Sequence, residues 1–295
     1  MPSLNDLKPD ARFYGLFIGD SGSGKKVAAA SFPRPILFLD FDSRIRGLLG
    51  APFLDMKDIG DVEFFPPKTK AGEYTFQKVN DLLEKIQGQC NIGMCKYKTI
   101  YIGSITGAAF AFLQDANVLT HKGDGKGRKL GPMNMTGPQD YGFESNGIKQ
   151  FLAFLQYLKD HPTGIPNIIV GGHSIPKWGK PGMDKEDISM KEVEEIMDKF
   201  KYVDNVILGE KLALTDKLSA IAPTSFDHIF KFSKEMPQYG VEVQHFVEFR
   251  GNIARTAHAK LPNGKINITG KLFYEGMMKL AGFGVESGVL EVTGK

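Results

Sequence analysis

The residues best suited to chemistry lie in one glycine-rich turn near the start of the chain, with the sequence GDSGSGKK at positions 19–26. Glycines at this density let the backbone curl, so that successive N–H groups point inward at an anion. Lys25, directly after the last glycine, is placed to reach the outer oxygens of a bound phosphate chain. The candidate phosphate-binding residues are Gly19, Asp20, Ser21, Gly22, Ser23, Gly24, Lys25 and Lys26.

One residue of this turn departs from the phosphate-binding pattern G-x-x-x-x-G-K-[ST], known as the P-loop or Walker A motif. The pattern has Ser or Thr after the lysine, where the hydroxyl group binds Mg²⁺, whereas this chain has Lys26. Two unit charges ~4 Å apart at an effective dielectric of ~20 interact by ~4 kcal/mol. We therefore expect Lys26 to repel a divalent cation from this place and to attract phosphate.

The segments around the turn are those that a phosphate-binding loop requires. Residues 13–18 form an apolar run that predicts a buried strand, and residues 27–30 predict a helix. A second apolar run, residues 36–39, predicts a parallel strand covered on both faces, and it ends at Asp40 and Asp42. Open α/β sheets bind ligands at the carboxyl ends of their strands, so both carboxylates are candidates for the site.

Later segments continue the alternation of strands and helices. Residues 98–104 and 167–173 predict two more buried strands, the second ending at His173. Runs at residues 226–232, 241–249 and 254–259 alternate as antiparallel strands do. The predicted fold class is therefore α/β, with a mainly parallel sheet extended by antiparallel C-terminal strands. The predicted units are a lead-in of residues 1–11, one domain of residues 12–282 and a tail of residues 283–295.

The composition agrees with one large domain in a reducing compartment. With 295 residues and 42% hydrophobic content, the chain can bury a sizeable core. The formal net charge of +3 excludes a polycation, so nucleic-acid contact would have to come from a local basic patch. Cys90 and Cys95 have no second Cys or His pair at zinc-site spacing and are interpreted as reduced thiols. No stretch reaches membrane-spanning length, so we expect a cytoplasmic protein with no membrane partner.

Two polar segments are candidate nucleic-acid-binding loops. Residues 121–129 are glycine-rich and basic, which favours a mobile loop. Residues 174–187 form a second polar loop, in which the only tryptophan lies between two lysines, a pattern that suits stacking on a base. The alternatives are a solvated linker for the first segment and a core-packed tryptophan for the second. The candidate residues are Lys122, Lys126, Arg128, Lys129, Lys177, Trp178 and Lys180.

The succession of these motifs resembles the RecA-like P-loop ATPases, and more narrowly the phage-encoded AAA-domain or Sak-type recombination ATPases. The segments that carry the resemblance are residues 19–25, 37–42, 99–106, 168–173, 214–218, 226–229 and 255–262. The resemblance implies a RecA-like P-loop NTPase core, ATP with Mg²⁺, and homo-oligomeric rings or filaments. It also implies binding of single-stranded DNA during recombination, in the host-cell cytoplasm.

The resemblance also implies roles for individual residues. Asp42, or else Asp40, holds the place of the carboxylate that orients the attacking water. His173 holds the place of a polar residue that senses the γ-phosphate, while Arg255 and Lys260 are candidates to reach a neighbouring subunit's nucleotide. From the residues alone, bland alternatives stay open: a helix cap or a solvated loop carboxylate for the two aspartates, and a structural, hydrogen-bonded histidine.

Two departures from the family pattern concern the metal. The family ends its second nucleotide motif with an Asp that anchors the Mg²⁺ shell, whereas this chain has Gly103 there, and Lys26 replaces the hydroxyl ligand. We therefore assign no metal ligand, and we expect ATP to bind while hydrolysis is weak or absent, because phosphoryl transfer depends largely on that metal. Restoring both residues, with Lys26→Thr and Gly103→Asp, is expected to raise ATPase activity.

Three functions remain open at this stage. The first is an ATP-binding RecA-like protein of phage DNA recombination or replication, with weak hydrolysis. The second is a pseudo-ATPase retained as a structural or assembly module. The third, a P-loop kinase of a small substrate, is disfavoured because the residues at positions 26 and 103 would damage a kinase equally. The sequence does not decide whether the protein is an enzyme.

Overall fold

The computed structural model describes residues 12–49, 62–67, 75–122, 138–180, 189–201, 206–235, 243–250, 254–256, 261–271 and 273–280. Its main sheet comprises β1 Phe13–Gly19, β2 Ile36–Leu39, β3 Val62–Phe65, β4 Thr99–Ile102, β5 Asn167–Gly172, β8 His228–Glu235, β9 Gln244–Glu248, β10 Arg255–Thr256 and β11 Lys265–Asn267. A separate two-stranded antiparallel sheet pairs β6 Ser174–Gly179 with β7 Val206–Leu212. The helices are α1 Lys25–Ala30, α2 Gln77–Asn91, α3 Ile105–Lys122, α4 Pro138–Asp160, α5 Met190–Lys199, α6 Asp216–Ile221 and α7 Phe273–Leu280. The predicted lead-in and tail lie outside the described residues.

Strand β1 lies in the interior of the main sheet, whose order is β11-β9-β8-β1-β5-β4-β2-β3, with β10 beside β8. All pairs from β8 to β3 are parallel, and β9, β10 and β11 pair antiparallel. The predicted fold class, a mainly parallel sheet extended by antiparallel C-terminal strands, is confirmed. The antiparallel direction predicted for residues 226–232 is wrong with respect to β1, since β8 runs parallel to it. Alternating polarity is typical of antiparallel strands but does not fix the direction of a strand, and the first three residues of β8 are all buried.

Both faces of β1 are covered, so the sheet is the middle layer of three. All seven residues of the strand are buried. Tyr14 and Leu16 belong to a core cluster shared with α2, α3 and α4. Phe13 and Phe17 belong to a second cluster, on the other face, shared with α1 and α7. A strand fixed in this way holds the turn that follows it at the carboxyl edge of the sheet.

The two segments predicted as loops contain regular structure. The second begins as strand β6, so Trp178 lies on a strand paired with β7 and not in a loop. Trp178 is 59% exposed, which excludes packing against the core. The first segment begins inside α3, which ends at Lys122, and residues 123–137 lie outside the described residues. Among the described helices, none has the length and apolar character needed to cross a membrane.

Candidate phosphate-binding site

The predicted order of strand, glycine-rich turn and helix is confirmed around residues 19–26, where β1 leads into α1. Gly24, the N-cap residue directly before α1, has a φ of 95°, a left-handed conformation that favours glycine. Gly19 is required for a different reason as well: a Cβ atom there would lie 2.1 Å from the carbonyl oxygen of Phe232 on β8. The turn is therefore shaped both by its own glycines and by the neighbouring strand.

Lys25 is turned back onto its own loop. Its Nζ donates to the carbonyl oxygens of Gly19 at 2.5 Å and Asp20 at 2.8 Å, and to Ser23 Oγ at 3.2 Å. The side chain is only 7% exposed, and this burial lowers the pKa of Lys25 from its ordinary value of 10.5 to about 8. The ammonium group must therefore exchange these contacts for phosphate oxygens when an anion enters the loop.

A cavity of about 560 Å³ lies beside the loop. The sheet order gives it two different walls, because β9 and β11 lie on one side of β1 and β2 lies on the other. The first wall combines the apolar side chains of Val243, Ile268 and Phe273 with the polar ones of His245 and Lys271. The second wall carries Asp42, Arg44 and His173. The cavity thus has an apolar patch on the first wall, with the glycine-rich loop between the two walls.

Positive charge predominates in this cavity. Among the described residues that line it, the cationic side chains are Lys25, Lys26, Arg44 and Lys271, and the only carboxylate is Asp42. Such a balance favours a polyanionic ligand, because the field of several cations is focused in a low-dielectric cleft.

The two aspartates after β2 have different surroundings. Asp40 is 3% exposed, and its carboxylate accepts from the backbone N–H groups of Arg44 and Ile45, both at 3.1 Å. It caps the 3₁₀ helix Ile45–Leu48 and also lies 3.4 Å from Lys26 Nζ. Asp40 is not among the residues lining the cavity, so its geometry matches the helix-cap alternative.

Asp42 faces the cavity, and two other side chains orient it. Ser104 Oγ donates to Asp42 Oδ1 at 2.7 Å, and His173 Nε2 lies 3.5 Å from Asp42 Oδ2. Burial by itself would raise the pKa of Asp42, but the hydrogen bonds from His173 and Ser104 outweigh it and hold the pKa below its ordinary value. Asp42 is therefore an ionised hydrogen-bond acceptor, a state that suits orienting a water molecule.

Gly103 lies where strands β4 and β2 come very close. Its N–H donates to the carbonyl oxygen of Leu39 at 2.6 Å. A Cβ atom at this position would lie 2.7 Å from that oxygen and 3.1 Å from the Cα of Asp40. Because these neighbours are backbone atoms, any side chain at position 103 requires the two strands to move apart.

The residues around the loop do not fit the Mg²⁺ ion that the resemblance implies. Mg²⁺ requires oxygen ligands in near-octahedral geometry. The two positions that would anchor the ion hold Lys26 and the crowded Gly103. Within the described ranges, no group of three or more His, Cys, Asp or Glu side chains is placed to hold a metal.

Sequence reasoning did not single out several residues of this site. Arg44 follows the end of β2, and Ser104 follows the end of β4. Sequence analysis could have identified both, because polar residues after the carboxyl ends of parallel strands are candidates for the ligand site. Lys234 Nζ donates to the carbonyl oxygen of Ser21 at 3.2 Å. His245 Nδ1 lies 3.4 Å from the position of a Cβ on Gly24. These last two come from β8 and β9, whose approach to the loop depends on sheet order.

The structure describes some of the remaining predicted residues, and the others lie outside the described residues. Arg255 is on β10, paired with Ile229 near the start of β8, whereas Gly19 pairs with Phe232 further along that strand. Strand β6 contains Lys177 and Trp178, and Lys180 directly follows it. Helix α3 ends at Lys122. Outside the described residues lie Lys126, Arg128, Lys129 and Lys260.

No protein-family model and no curated protein matches this chain. Solved structures do match it, at low identity. The KaiC-like protein PH0186 from Pyrococcus horikoshii OT3 is 14% identical, with a TM-score of 0.42, over 89% of this chain and 87% of that chain. The flagellar accessory protein FlaH from Methanocaldococcus jannaschii is 11% identical, with a TM-score of 0.37, over 88% and 85%. Similarities this weak establish neither a family nor a function.

Proposed function

We propose that this protein is a RecA-like, ATP-binding protein that holds its nucleotide on residues 19–26 by protein cations and not by a bound metal. The supporting observation is the cavity beside the loop, whose described lining contains four Lys and Arg side chains and a single carboxylate. The crowding at Gly103 supports the same proposal, because it excludes the acidic residue that would anchor Mg²⁺.

Different residues of the site would bind the phosphates, supply positive charge and orient water. Backbone N–H groups of the turn bind phosphate oxygens, and Lys25 turns from Gly19 to the outer phosphates. Lys26 supplies positive charge at the position where the P-loop motif has its Mg²⁺ ligand. Asp42 is positioned to orient a water molecule, but without a metal to neutralise the leaving phosphate oxygens turnover is weak.

A pseudo-ATPase that needs nucleotide only for assembly is the second candidate, favoured by the same crowding at Gly103. The two proposals predict the same nucleotide binding and differ in turnover. Measurement of single-turnover hydrolysis decides between them, since a slow but Asp42-dependent rate supports the ATPase and no rate above background supports the module.

Removing the charge of Lys25 should weaken ATP binding. Replacing it with methionine keeps the length of the side chain and removes its charge, so the affinity for ATP in EDTA should fall about 10- to 100-fold, the range for a charged hydrogen bond. Calorimetry measures this directly. Lys98→Met is the matched control, because this exposed lysine precedes β4 at the opposite edge of the sheet.

The pH dependence of the same affinity identifies the lysine as the source of the charge. Since the pKa of Lys25 is about 8 in the free protein, the lysine is protonated below that pH and loses its proton above it. ATP binds the protonated form, so wild-type affinity should fall as the pH rises past about 8, and the Lys25→Met variant should not show this fall. Equal affinities of variant and wild type would contradict the assignment of the loop.

We also propose that the two-stranded sheet of β6 and β7 binds single-stranded DNA, as the resemblance to phage recombination ATPases implies. Trp178 is exposed, between Lys177 and Lys180 in sequence, and β6 begins one residue after His173. An aromatic ring for stacking and nearby cations for the backbone are the features that single strands require. Assembly into rings or filaments, with Arg255 and Lys260 reaching a neighbouring nucleotide, is part of the same proposal.

DNA binding has a direct reporter, because Trp178 is the only tryptophan of the chain. Its fluorescence should be quenched by an oligothymidylate, and the affinity should fall steeply as salt rises. Trp178→Ala should weaken binding about tenfold or more, given that stacking contributes about 1–3 kcal/mol per base. Trp178→Phe keeps a stacking ring and should retain most of the affinity. Absence of both quenching and salt dependence would refute the DNA proposal.

A further inference from the structure

We propose that Arg44 binds the terminal phosphate of the nucleotide from within the same chain and makes the metal-free site selective for triphosphates over diphosphates. This inference rests on the proposed function, and it assigns a specificity role to a residue outside the glycine-rich loop.

The position of Arg44 follows from the two walls of the cavity. The apolar patch of Val243, Ile268 and Phe273 on the first wall suits a base, and the glycine-rich loop suits the phosphates next to it. A phosphate chain that starts at this patch and crosses the loop ends at the second wall, which Arg44 lines. The outermost phosphate is therefore the one nearest to this guanidinium.

The local backbone directs Arg44 toward the loop. Ser43 has a φ of 54°, an uncommon left-handed conformation for a residue other than glycine, and it turns the chain directly before the arginine. The buried carboxylate of Asp40 accepts from the backbone N–H of Arg44 at 3.1 Å and fixes that turn. The guanidinium already contacts the loop, because Arg44 Nη1 donates to Ser21 Oγ at 2.7 Å.

The charge of Arg44 supplements that of Lys26. The ammonium of Lys26 lies 3.4 Å from Asp40, so part of its charge is already compensated. Arg44 adds a second cation to the lining of the cavity, and the two together carry the charge of one divalent ion. A guanidinium stays protonated at any working pH and presents a planar fork that binds phosphate oxygens in pairs. The terminal phosphate of a triphosphate reaches the guanidinium of Arg44, whereas a diphosphate is too short to reach it.

The test compares ATP and ADP binding in EDTA for variants of two neighbouring arginines. Arg44→Gln keeps a donor for Ser21 but removes the charge, so we expect ATP affinity to fall about tenfold or more and ADP affinity to change less than about threefold. Arg44→Lys keeps the charge but lacks the planar guanidinium, so its ATP affinity should lie between those of Arg44→Gln and wild type. Arg46→Ala is the matched control, since this exposed arginine lies in the same 3₁₀ helix and does not line the cavity.

The outcomes separate this inference from the proposed function. If wild type binds ATP and the Arg44 variants bind ATP equally well, or lose ATP and ADP to the same extent, the role of Arg44 is refuted and the nucleotide site stands. If wild type binds neither nucleotide, the proposed function fails and the inference fails with it. Thermal unfolding of each variant shows whether a loss of ATP affinity comes from misfolding. If Arg44→Gln misfolds, Arg44→Lys tests the role of Arg44, because it should retain part of the selectivity for ATP over ADP.

Discussion

Replacing Gly103 with aspartate should destabilise the protein and should not restore a magnesium site. The new Cβ would lie 2.7 Å from the carbonyl oxygen of Leu39, and the carboxylate would have to enter between β4 and β2. Overpacking of this kind costs about 1–3 kcal/mol of the free energy of unfolding even without a buried charge. Chemical denaturation of Gly103→Asp and Gly103→Ala, with and without Mg²⁺, measures the loss.

Gly47 provides the matched control for this result. It also lines the cavity, but a Cβ atom there would have no neighbour within 4 Å. Gly47→Ala and Gly47→Asp should therefore unfold close to wild type. A Gly103→Asp protein that is as stable as wild type and gains tight Mg²⁺ binding would overturn the argument from crowding. The expectation from sequence, that Lys26→Thr with Gly103→Asp raises ATPase activity, is replaced by an expected loss of stability.

Binding of ATP should be nearly independent of Mg²⁺. Lys26 occupies the position of the hydroxyl ligand, and its Nζ is held 3.4 Å from the buried carboxylate of Asp40. Affinity in EDTA should therefore lie within about threefold of the affinity with Mg²⁺, whereas Lys26→Thr should lose about tenfold or more of the metal-free affinity. Titration calorimetry of both proteins under both conditions measures the difference.

Lys26→Arg serves as the control for charge at this position. It keeps the positive charge beside Asp40 and should retain most of the metal-free affinity. Wild-type binding that strengthens at least tenfold with Mg²⁺, together with rapid metal-dependent hydrolysis, would show that the site holds a metal after all. That result would also remove the reason for a second protein cation at Arg44.

Much of the site could be predicted because its signals are local. The order of strand, turn and helix around residues 19–26 requires only a short segment, and α1 and β1 form as its pattern predicts. Asp42 and His173 were both predicted from their places at strand ends, and parallel pairing brings them within 3.5 Å. Trp178 shows the limit of such signals, since a short polar strand has no apolar alternation to distinguish it from a loop.

The sequence by itself determined which chemical groups the loop offers: a glycine-rich turn, Lys25, and a second lysine where the P-loop motif has a hydroxyl ligand. These groups are known without a structure because they are adjacent in the chain. Only the tertiary structure decided that Asp42 faces the cavity while Asp40 caps a helix, and that Gly103 has no room for a side chain. The physical reason is that these contacts join distant segments, as when Lys234 meets Ser21 across 213 positions of the chain, and sheet order and register alone bring such segments together.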